Sequence, residues 1–265
     1  MSQAGQDRPS VLRAARERTR AEITDQILNA ARRHLATDGA AGLSLRAIAR
    51  ELGVSSSAVY RYVASRDELL TRLMVAAYDA LGVAAEDAEA TVAREDHAGR
   101  WAAVCHAVRA WALAHPNEYA LVYGTPVPGY TAPSASIAPA ARVSKVLLGI
   151  LADATGRLGP TLAGEGEDVA PDLRRALAPV RSLTASKVPD GLAQRGLMAW
   201  AALFGTVSFE LFGQLHNVVG EGPGDRDAYF AECVRRWTTR VGIATPQANE
   251  TYTGPTRERR QEVRT

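Results

Sequence analysis

The sequence is poor in the residues that build metal, redox or catalytic sites. Its 265 residues include two cysteines, Cys105 and Cys233, and neither has a second cysteine two residues away. The five histidines form no HExxH motif, which would place two zinc ligands on one helix face. Cys105 and His106 are neighbours, so on a helix their side chains point about 100° apart and cannot pair as nucleophile and base. We therefore expect neither an enzyme nor a metal or organic cofactor.

Long apolar stretches are missing as well. Residues 1–18 contain no apolar run that would form a signal peptide. The most apolar segment, 197–213, is interrupted by glycine, threonine and serine and is too short for a convincing membrane span. Isolated cysteines are typical of a reducing compartment. The sequence thus favours a cytoplasmic protein with no membrane partner.

No segment alternates polar and apolar residues with a period of two, and no glycine-rich phosphate loop is present. Apolar residues instead recur at helical spacing, which predicts an all-α protein. The first helix is predicted from Thr19 to Thr37, with Gly39 as its stop. Later helices are predicted at 72–90, 97–115, 136–155, 171–183, 190–219 and 225–242.

Residues 43–70 carry the most informative pattern of the chain. Apolar residues recur at helical spacing from Leu45 to Leu52, and Ser44 is placed to cap that helix. Gly53 follows where a helix most readily ends through a positive φ, and Val54 begins a second apolar pattern. Two short helices joined by a turn of about three residues are predicted, which is the arrangement of a helix-turn-helix.

The second helix of this motif is expected to present its outer face to DNA. Val59 and Val63 form its apolar side, so the side chains near its N-terminus point outward, as in a recognition helix that enters the major groove. These outward side chains are Ser55, Ser56, Ser57, Tyr60 and Arg61. A third helix is predicted to begin at the capping box that Ser65 and Glu68 form.

Four elements of this segment carry a family resemblance: Ile48-Ala49, Gly53-Val54-Ser55, Tyr60 and Arg66-Asp67-Glu68-Leu69-Leu70. With them, the segment resembles the DNA-binding domain of the TetR (tetracycline-repressor-like) family of bacterial transcription regulators. The resemblance and the outer-face pattern together imply a DNA-facing set: Arg46, Ser55, Ser56, Ser57, Tyr60, Arg61, Tyr62 and Arg66. Arg61 is the expected guanine contact, because a two-pronged arginine is the commonest specific pairing. Tyr60, Tyr62 and Arg66 are expected to bind phosphates.

The motif departs from the family pattern at a few positions. Ser56, Ser57 and Ala58 stand where many members carry other residues, so no base preference carries over. Val63 replaces a common Phe, and Arg66 replaces a common Lys while keeping its charge. A helix-turn-helix pattern also occurs in helical hairpins that bind no DNA.

The charge distribution argues against that alternative. Residues 1–72 carry 12 Lys+Arg and 8 Asp+Glu, whereas residues 73–244 carry 15 and 18. We accordingly expect a helix-turn-helix DNA-binding domain at 19–72, preceded by a flexible basic arm at 1–18. The arm either enters an adjacent minor groove or is a disordered end with incidental charge. A larger helical regulatory and dimerisation domain is expected at 73–244, followed by a disordered tail at 245–265.

An aromatic region lies within the larger domain. Trp101 and Trp111 share a helical face before Pro116 breaks the helix, and a tyrosine-rich turn follows. This region and Trp200-Ala201-Ala202-Leu203-Phe204-Gly205 resemble a C-terminal regulatory domain of some TetR-family proteins, with Phe204 in place of a histidine. Aromatic walls suit a pocket for a planar or apolar small molecule, and the alternative is that they form an ordinary core. The expected ligand-binding residues are Trp101, Cys105, Trp111, Tyr119, Tyr123, Met198 and Phe204.

The segment from Leu197 to Gly213 contains a single charged residue, Glu210, and apolar side chains on every face. Such a helix must be covered on all sides, which predicts a homodimer with a four-helix interface that a second apolar helix, 229–243, completes. The expected interface residues are Phe209, Phe212, Trp237 and Val241.

We therefore predict a homodimeric, ligand-responsive regulator. It would be a repressor, released from an inverted-repeat operator in double-stranded DNA by a small apolar or aromatic effector. The alternative is a ligand-independent dimeric regulator or activator with a filled C-terminal core, and beyond it a helical interaction module. Both regulators would be retained on DNA, whereas a helical interaction module would not. A closed interior would favour the ligand-independent regulator over the ligand-responsive one.

Overall fold

A computed structural model describes residues 8–158, 169–183 and 188–243, and these residues form helices and turns without a β-strand. The prediction of an all-α fold is confirmed. The helices are α1 (Arg8–Gly42), α2 (Leu45–Glu51), α3 (Ser56–Tyr60), α4 (Arg66–Ala90), α5 (His97–Ala114), α6 (Pro116–Tyr123), α7 (Ile137–Ala140), α8 (Arg142–Leu158), α9 (Pro171–Ala176), α10 (Ala178–Leu183), α11 (Asp190–Leu211) and α12 (Asp225–Val241), with a 3₁₀ turn at Ser134–Ser136.

Helix α1 begins at Arg8 instead of Thr19, so residues 8–18 are helical where the sequence predicted a flexible arm. Alanine and arginine, both strong helix formers, fill much of this segment. Arg13 also pairs with Glu17 one turn later, at 3.0 Å. These local preferences extend the helix well before the first residue that packs in the core.

The other end of α1 is close to its predicted position. Gly39, the predicted stop, has a φ of 66° and interrupts the helix, which then closes at Gly42. Residues 1–7 of the predicted arm and the predicted tail at 245–265 lie outside the described residues.

Apolar side chains form two separate buried clusters. The first packs α1 to α4 together, and its centre includes Ile27, Ile48, Val59, Val63 and Leu69. The second packs parts of α4, α5, α6, α8, α11 and α12, and its centre includes Trp101, Leu151, Leu203, Val207 and Phe230. Each cluster is the core of one functional part of the chain.

Helices α4 and α6 contribute to both clusters. In α4, Leu69 to Leu73 lie in the first cluster and Ala77 to Ala85 in the second, so the predicted domain boundary at residue 72 falls inside an unbroken helix. In α6, Leu121 lies in the first cluster and Tyr119 in the second. The two parts of the chain are therefore joined by packed helices and not by a linker.

Ion pairs connect the helices that surround the second cluster. The buried Arg100 donates from Nε to Glu89 at 2.6 Å and from Nη2 to Asp153 at 2.9 Å, which ties α5 to α4 and α8. Arg109 on α5 donates from Nε and Nη2 to the two oxygens of Glu210 on α11, both at 2.7 Å. These bonds raise the pKa of Arg109. Pairing offsets the cost of burying these charges.

Helix α11 ends at Leu211 and does not reach Val219 as predicted. Gly213 and Asn217 adopt positive φ angles of 84° and 59°. A right-handed helix cannot continue through such residues, so the chain turns toward α12.

Within the described residues, no single helix is long and apolar enough to cross a membrane. A bent pair, Ser134–Ala140 with Arg142–Gly156, passes the same test by length and composition. In that pair, Ile150, Leu151 and Ala154 are buried against other helices of the chain.

Candidate DNA-reading face and regulatory cavity

The turn between α2 and α3 is fixed by local hydrogen bonds. Ser44 caps α2, because its hydroxyl oxygen accepts from the Ala47 N–H at 3.4 Å. At the other end, the Gly53 N–H donates to Arg50 O at 3.2 Å and the Val54 N–H donates to Ala49 O at 3.0 Å. This pair of bonds is a Schellman motif, and the φ of 67° at Gly53 is what it requires. The angle between α2 and α3 is therefore fixed by hydrogen bonds within this short segment.

Helix α3 presents a polar face to solvent. Val59 and Val63 are buried in the first cluster, as the apolar pattern predicts. Among the predicted DNA-facing residues, the exposed ones are Arg46, Ser55, Ser57, Tyr60 and Arg61. These five side chains form the candidate DNA-reading face.

Three of the predicted DNA-facing residues are half-buried: Ser56, Tyr62 and Arg66. Tyr62 packs under the guanidinium of Arg20, whose central carbon lies 5.4 Å from the ring centroid. Arg66 donates from Nη2 to Ala40 O at 2.8 Å, near the end of α1. Both side chains thus hold α1 against the reading helices, and their contacts with phosphates stay predictions.

The start of α4 is anchored directly behind α3. The Ser65 hydroxyl accepts from the Glu68 N–H at 3.1 Å, which is one half of the predicted capping box. Glu68 accepts from the N–H of Ala64, at 2.7 Å, instead of from that of Ser65. That backbone hydrogen bond, with help from Arg72, lowers the pKa of the Glu68 carboxyl. These bonds fix the first turn of α4 to the residues that follow α3.

The larger part of the chain contains an apolar cavity of about 130 Å³. Trp101 of α5 and Trp200 of α11 lie on its wall, and α8 and α10 supply most of the rest. The residues from these two helices are Ser144, Leu147, Leu148, Leu151, Val180 and Leu183. None of the six was predicted, because their only signal is helical periodicity, which a filled core produces equally well.

The cavity coincides with the predicted ligand site only at Trp101. Tyr119, Tyr123 and Phe204 pack against one another, with ring centroids 5.0 Å apart for the two tyrosines and 4.4 Å apart for Tyr123 and Phe204. The Tyr119 hydroxyl donates to Phe204 O at 3.1 Å, and burial raises the pKa of Tyr119 to about 12. The predicted space between these rings is filled, and the open space lies beyond Trp200.

Of the predicted ligand-binding residues, Trp101 alone lines this cavity. Trp111 is stacked on His115, with ring centroids 4.9 Å apart. Cys105 is fully buried, which raises the pKa of its thiol. Met198 is 52% exposed and borders a groove between α11 and α12 instead.

The predicted interface residues divide into two groups. Phe209 and Phe212 are 54% and 42% exposed, so both side chains are accessible to a partner. Trp237 is half-buried against Phe230, with ring centroids 6.0 Å apart. Val241 is only 1% exposed because it faces the second cluster, so its prediction as an interface residue is wrong.

These features define a class of protein, in which a helix-turn-helix is joined to a helical domain that encloses a cavity. Residues 27–73 match the family described as bacterial regulatory proteins, tetR family, and residues 101–237 match the tetracyclin repressor-like C-terminal domain. The chain belongs to the TetR family of DNA-binding transcriptional regulators.

Similar proteins support this assignment along most of the chain. The HTH-type transcriptional regulators Rv1816 of Mycobacterium tuberculosis and Mb1846 of Mycobacterium bovis are each 41% identical over 213 residues, which is 79% of this chain and 89% of the relative. The solved structure of regulatory protein SCO4313 has a TM-score of 0.67 and 35% identity, covering 84% of this chain and 98% of that one. The structure of a protein with unknown function from Rhodococcus sp. RHA1 has a TM-score of 0.56 and 26% sequence identity. The match covers 82% of this chain and 93% of that one. The family and its named relatives are regulators of transcription and not enzymes.

Replacing Arg61 tests its assignment to a base. We expect Arg61→Ala to weaken operator binding by about 1–3 kcal/mol and to relax the preference at one position per half-site. The measurement is binding to a fragment selected from random DNA and to singly substituted versions of it. Arg175→Ala is the matched control, because it removes an exposed arginine from α9, a helix outside the DNA-binding domain. Unchanged affinity and unchanged preference in Arg61→Ala would show that this side chain reads no base.

Proposed function

We propose that this regulator is a ligand-responsive repressor, released from an inverted-repeat operator when a small apolar or aromatic effector occupies the cavity. One observation carries the proposal. Aromatic rings in mutual contact connect the wall of the cavity to α6 and α4, the two helices that also contribute to the core of the DNA-binding domain. Action on DNA would take place in the cytoplasm.

The rings lead from α11 to α6 and α4. Trp200 lines the cavity, and its ring centroid lies 5.3 Å from that of Phe204. Phe204 contacts Tyr123 on α6 at 4.4 Å, and Tyr123 contacts Tyr78 on α4 at 5.9 Å. Helix α6 also places Leu121 in the apolar cluster of the DNA-binding domain.

A molecule that displaces Trp200 would therefore move α6 and α4, because closely packed rings leave little room to absorb the displacement. The two recognition helices of a dimer must be spaced for half-sites about one turn of DNA apart. A changed tilt of α4 alters that spacing. The effector would thus favour a conformation that fits the operator poorly, and operator and effector would weaken each other's binding by the same factor.

The dimer that this mechanism needs is proposed to form through α11. Apolar residues repeat three or four positions apart along its uncovered side: Met198, Ala201, Gly205, Phe209 and Phe212. We propose that the same stripe of a second copy covers it, with α12 alongside, as in a four-helix bundle. The resulting two-fold axis explains why the operator is expected to be an inverted repeat.

Gly205 offers a test of this interface. A Cβ built at Gly205 meets nothing within 4 Å in its own chain. The monomer therefore has room for the first carbon of a side chain, and we expect a larger side chain to obstruct a partner helix. We expect Gly205→Leu to keep its helical content and to weaken dimerisation by about 1–3 kcal/mol. Analytical ultracentrifugation over a concentration series gives the dissociation constant.

Gly149→Leu is the matched control, since Gly149 is another helical glycine with open space around its Cβ position. It should dimerise like the wild type. A wild-type protein that stays monomeric at micromolar concentration, or equal dimerisation of both variants, would contradict the proposed interface.

Filling the cavity from within tests the response to an effector without knowing its identity. Ser144 lines the cavity, so Ser144→Phe places a ring where the effector would lie. We expect the variant to bind the selected operator about 5- to 150-fold more weakly, which is the usual range of coupling between sites. Fluorescence anisotropy with a labelled operator measures the change.

Ser182→Phe is the control, because Ser182 is exposed on α10 and is not among the residues that line the cavity. Both variants are first compared with the wild type by thermal unfolding. If Ser144→Phe folds and binds the operator as tightly as Ser182→Phe, the ligand-independent regulator becomes the better account.

A further inference from the structure

Helix α1 extends beyond the core of the DNA-binding domain at its N-terminal end. The helix begins at Arg8, whereas its residues from Ile23 onward pack in the first cluster. Segment 13–20 therefore lies outside that core, and it contains four exposed arginines: Arg13, Arg16, Arg18 and Arg20. Glu17 is the one acidic residue among them. A surface with this excess of positive charge attracts partners of negative charge.

Three of these arginines continue the side of α1 that faces the DNA-binding domain. Arg13, Arg16 and Arg20 are three and four positions apart, and Ile23 and Ile27 follow at the same spacing. Residues at this spacing share one face of a helix. Because the two isoleucines pack in the first cluster, the three arginines lie on the side of α1 where that cluster is. These three side chains form the arginine stripe.

Arg20 shows where the arginine stripe lies relative to the reading helix. Its Nη2 donates to Arg61 O at 3.4 Å, and its guanidinium lies over the Tyr62 ring. Arg61 directly follows α3 and belongs to the candidate DNA-reading face. The stripe therefore begins beside the end of the reading helix. Arg16 and Arg13 lie about 6 and 10 Å further along α1, which corresponds to about two to three base pairs of DNA.

The helical form of segment 13–20 restricts how it can contact DNA. An α-helix with its side chains is about 10–12 Å across, whereas the minor groove is about 6 Å wide. Entry into that groove, one of the two expectations for a flexible arm, is therefore closed to a helix. The phosphates at the edge of a groove stay accessible. Arginine suits them because its planar fork can bind two phosphate oxygens.

We propose that the arginine stripe of α1 binds DNA phosphates just outside the half-site that α3 reads. Arg16 makes the main contact. Arg13 contributes less, because the exposed Glu17 pairs with it at 3.0 Å. Arg20 holds α1 against the end of α3 through its bond to Arg61 O. The inference rests on the operator binding proposed above, and it does not depend on release by an effector.

Two operator duplexes and two variants test this contact. One duplex ends at the outer edges of the inverted repeat, and the other continues at each end for about six further base pairs. Arg16→Gln removes a charge from the arginine stripe and keeps a residue of similar helix propensity. Arg18→Gln is the matched control, because Arg18 is also exposed but points about 160° away from Arg16.

Fluorescence anisotropy over a series of salt concentrations measures the affinities. We expect the wild type to bind the longer duplex more tightly, and Arg16→Gln to lose most of that advantage. On the longer duplex, the slope of log K against log salt should become shallower by about 1.8 in Arg16→Gln, for one phosphate contact in each of two subunits. Its loss of affinity should accordingly be about tenfold greater at 50 mM than at 200 mM salt. Arg18→Gln should keep the advantage and the slope of the wild type.

The outcomes that contradict the inference differ from those that contradict the proposed function. Equal binding of both duplexes by the wild type would show that the arginine stripe contacts no phosphate outside the half-sites. Equal losses in Arg16→Gln and Arg18→Gln would reduce the effect to the net charge of the segment. Either result overturns the inference and leaves operator binding intact. If the wild type does not prefer the selected operator to random DNA, operator binding itself fails, and the inference fails with it. Circular dichroism confirms the helical content of each variant.

Discussion

Helix α6 is too short to bury an apolar face by itself, so its position depends on the two clusters between which it packs. Leu121 is inserted into the core of the DNA-binding domain, and Tyr119 is inserted into the core of the regulatory domain, where its hydroxyl donates to Phe204 O. One short helix therefore contacts both cores. Helix α4 is also shared between the two clusters, and the capping bonds of Ser65 and Glu68 fix its first turn to the residues that follow the recognition helix. The regulatory role proposed for the cavity depends on this packing.

Helix α11 has three faces with different surroundings, and each of them is apolar. This explains why the helix is apolar on nearly every side. One face is buried in the regulatory core, a second lines the cavity through Trp200, and the third is uncovered around Phe209 and Phe212. Its one charged residue in the central stretch, Glu210, is neutralised by two hydrogen bonds from Arg109 on α5. In the proposed dimer, the same helix forms part of the cavity wall and part of the subunit interface. We therefore expect the dimer geometry and the occupancy of the cavity to influence each other.

The parts of the structure that could be predicted from the sequence are those that depend on neighbours close in the chain. Ser44, Gly53 and Ser65 act as helix caps and turn residues whatever surrounds them, so the helix-turn-helix followed from its own residues. The cavity could not be located in this way, because helical periodicity shows that a side chain is buried but not which helix it meets. Phe204 and Tyr119 were expected to line a space and instead fill it, while Val241, on the expected outer face of α12, packs inward. The start of α1 was missed for the opposite reason, since residues 8–18 are helical by propensity alone and show no apolar stripe.

The central claim is that occupancy of the cavity changes the spacing of the two recognition helices, and a distance between them tests it most directly. A spin label at Ala64→Cys, an exposed site between α3 and α4, reports this spacing in the dimer by pulsed electron paramagnetic resonance. Cys233 is replaced by serine, and Cys105 is protected by burial. We predict that the free protein samples the label distance found on operator DNA, and that Ser144→Phe depletes this distance. The same distance distribution in both proteins would contradict the account.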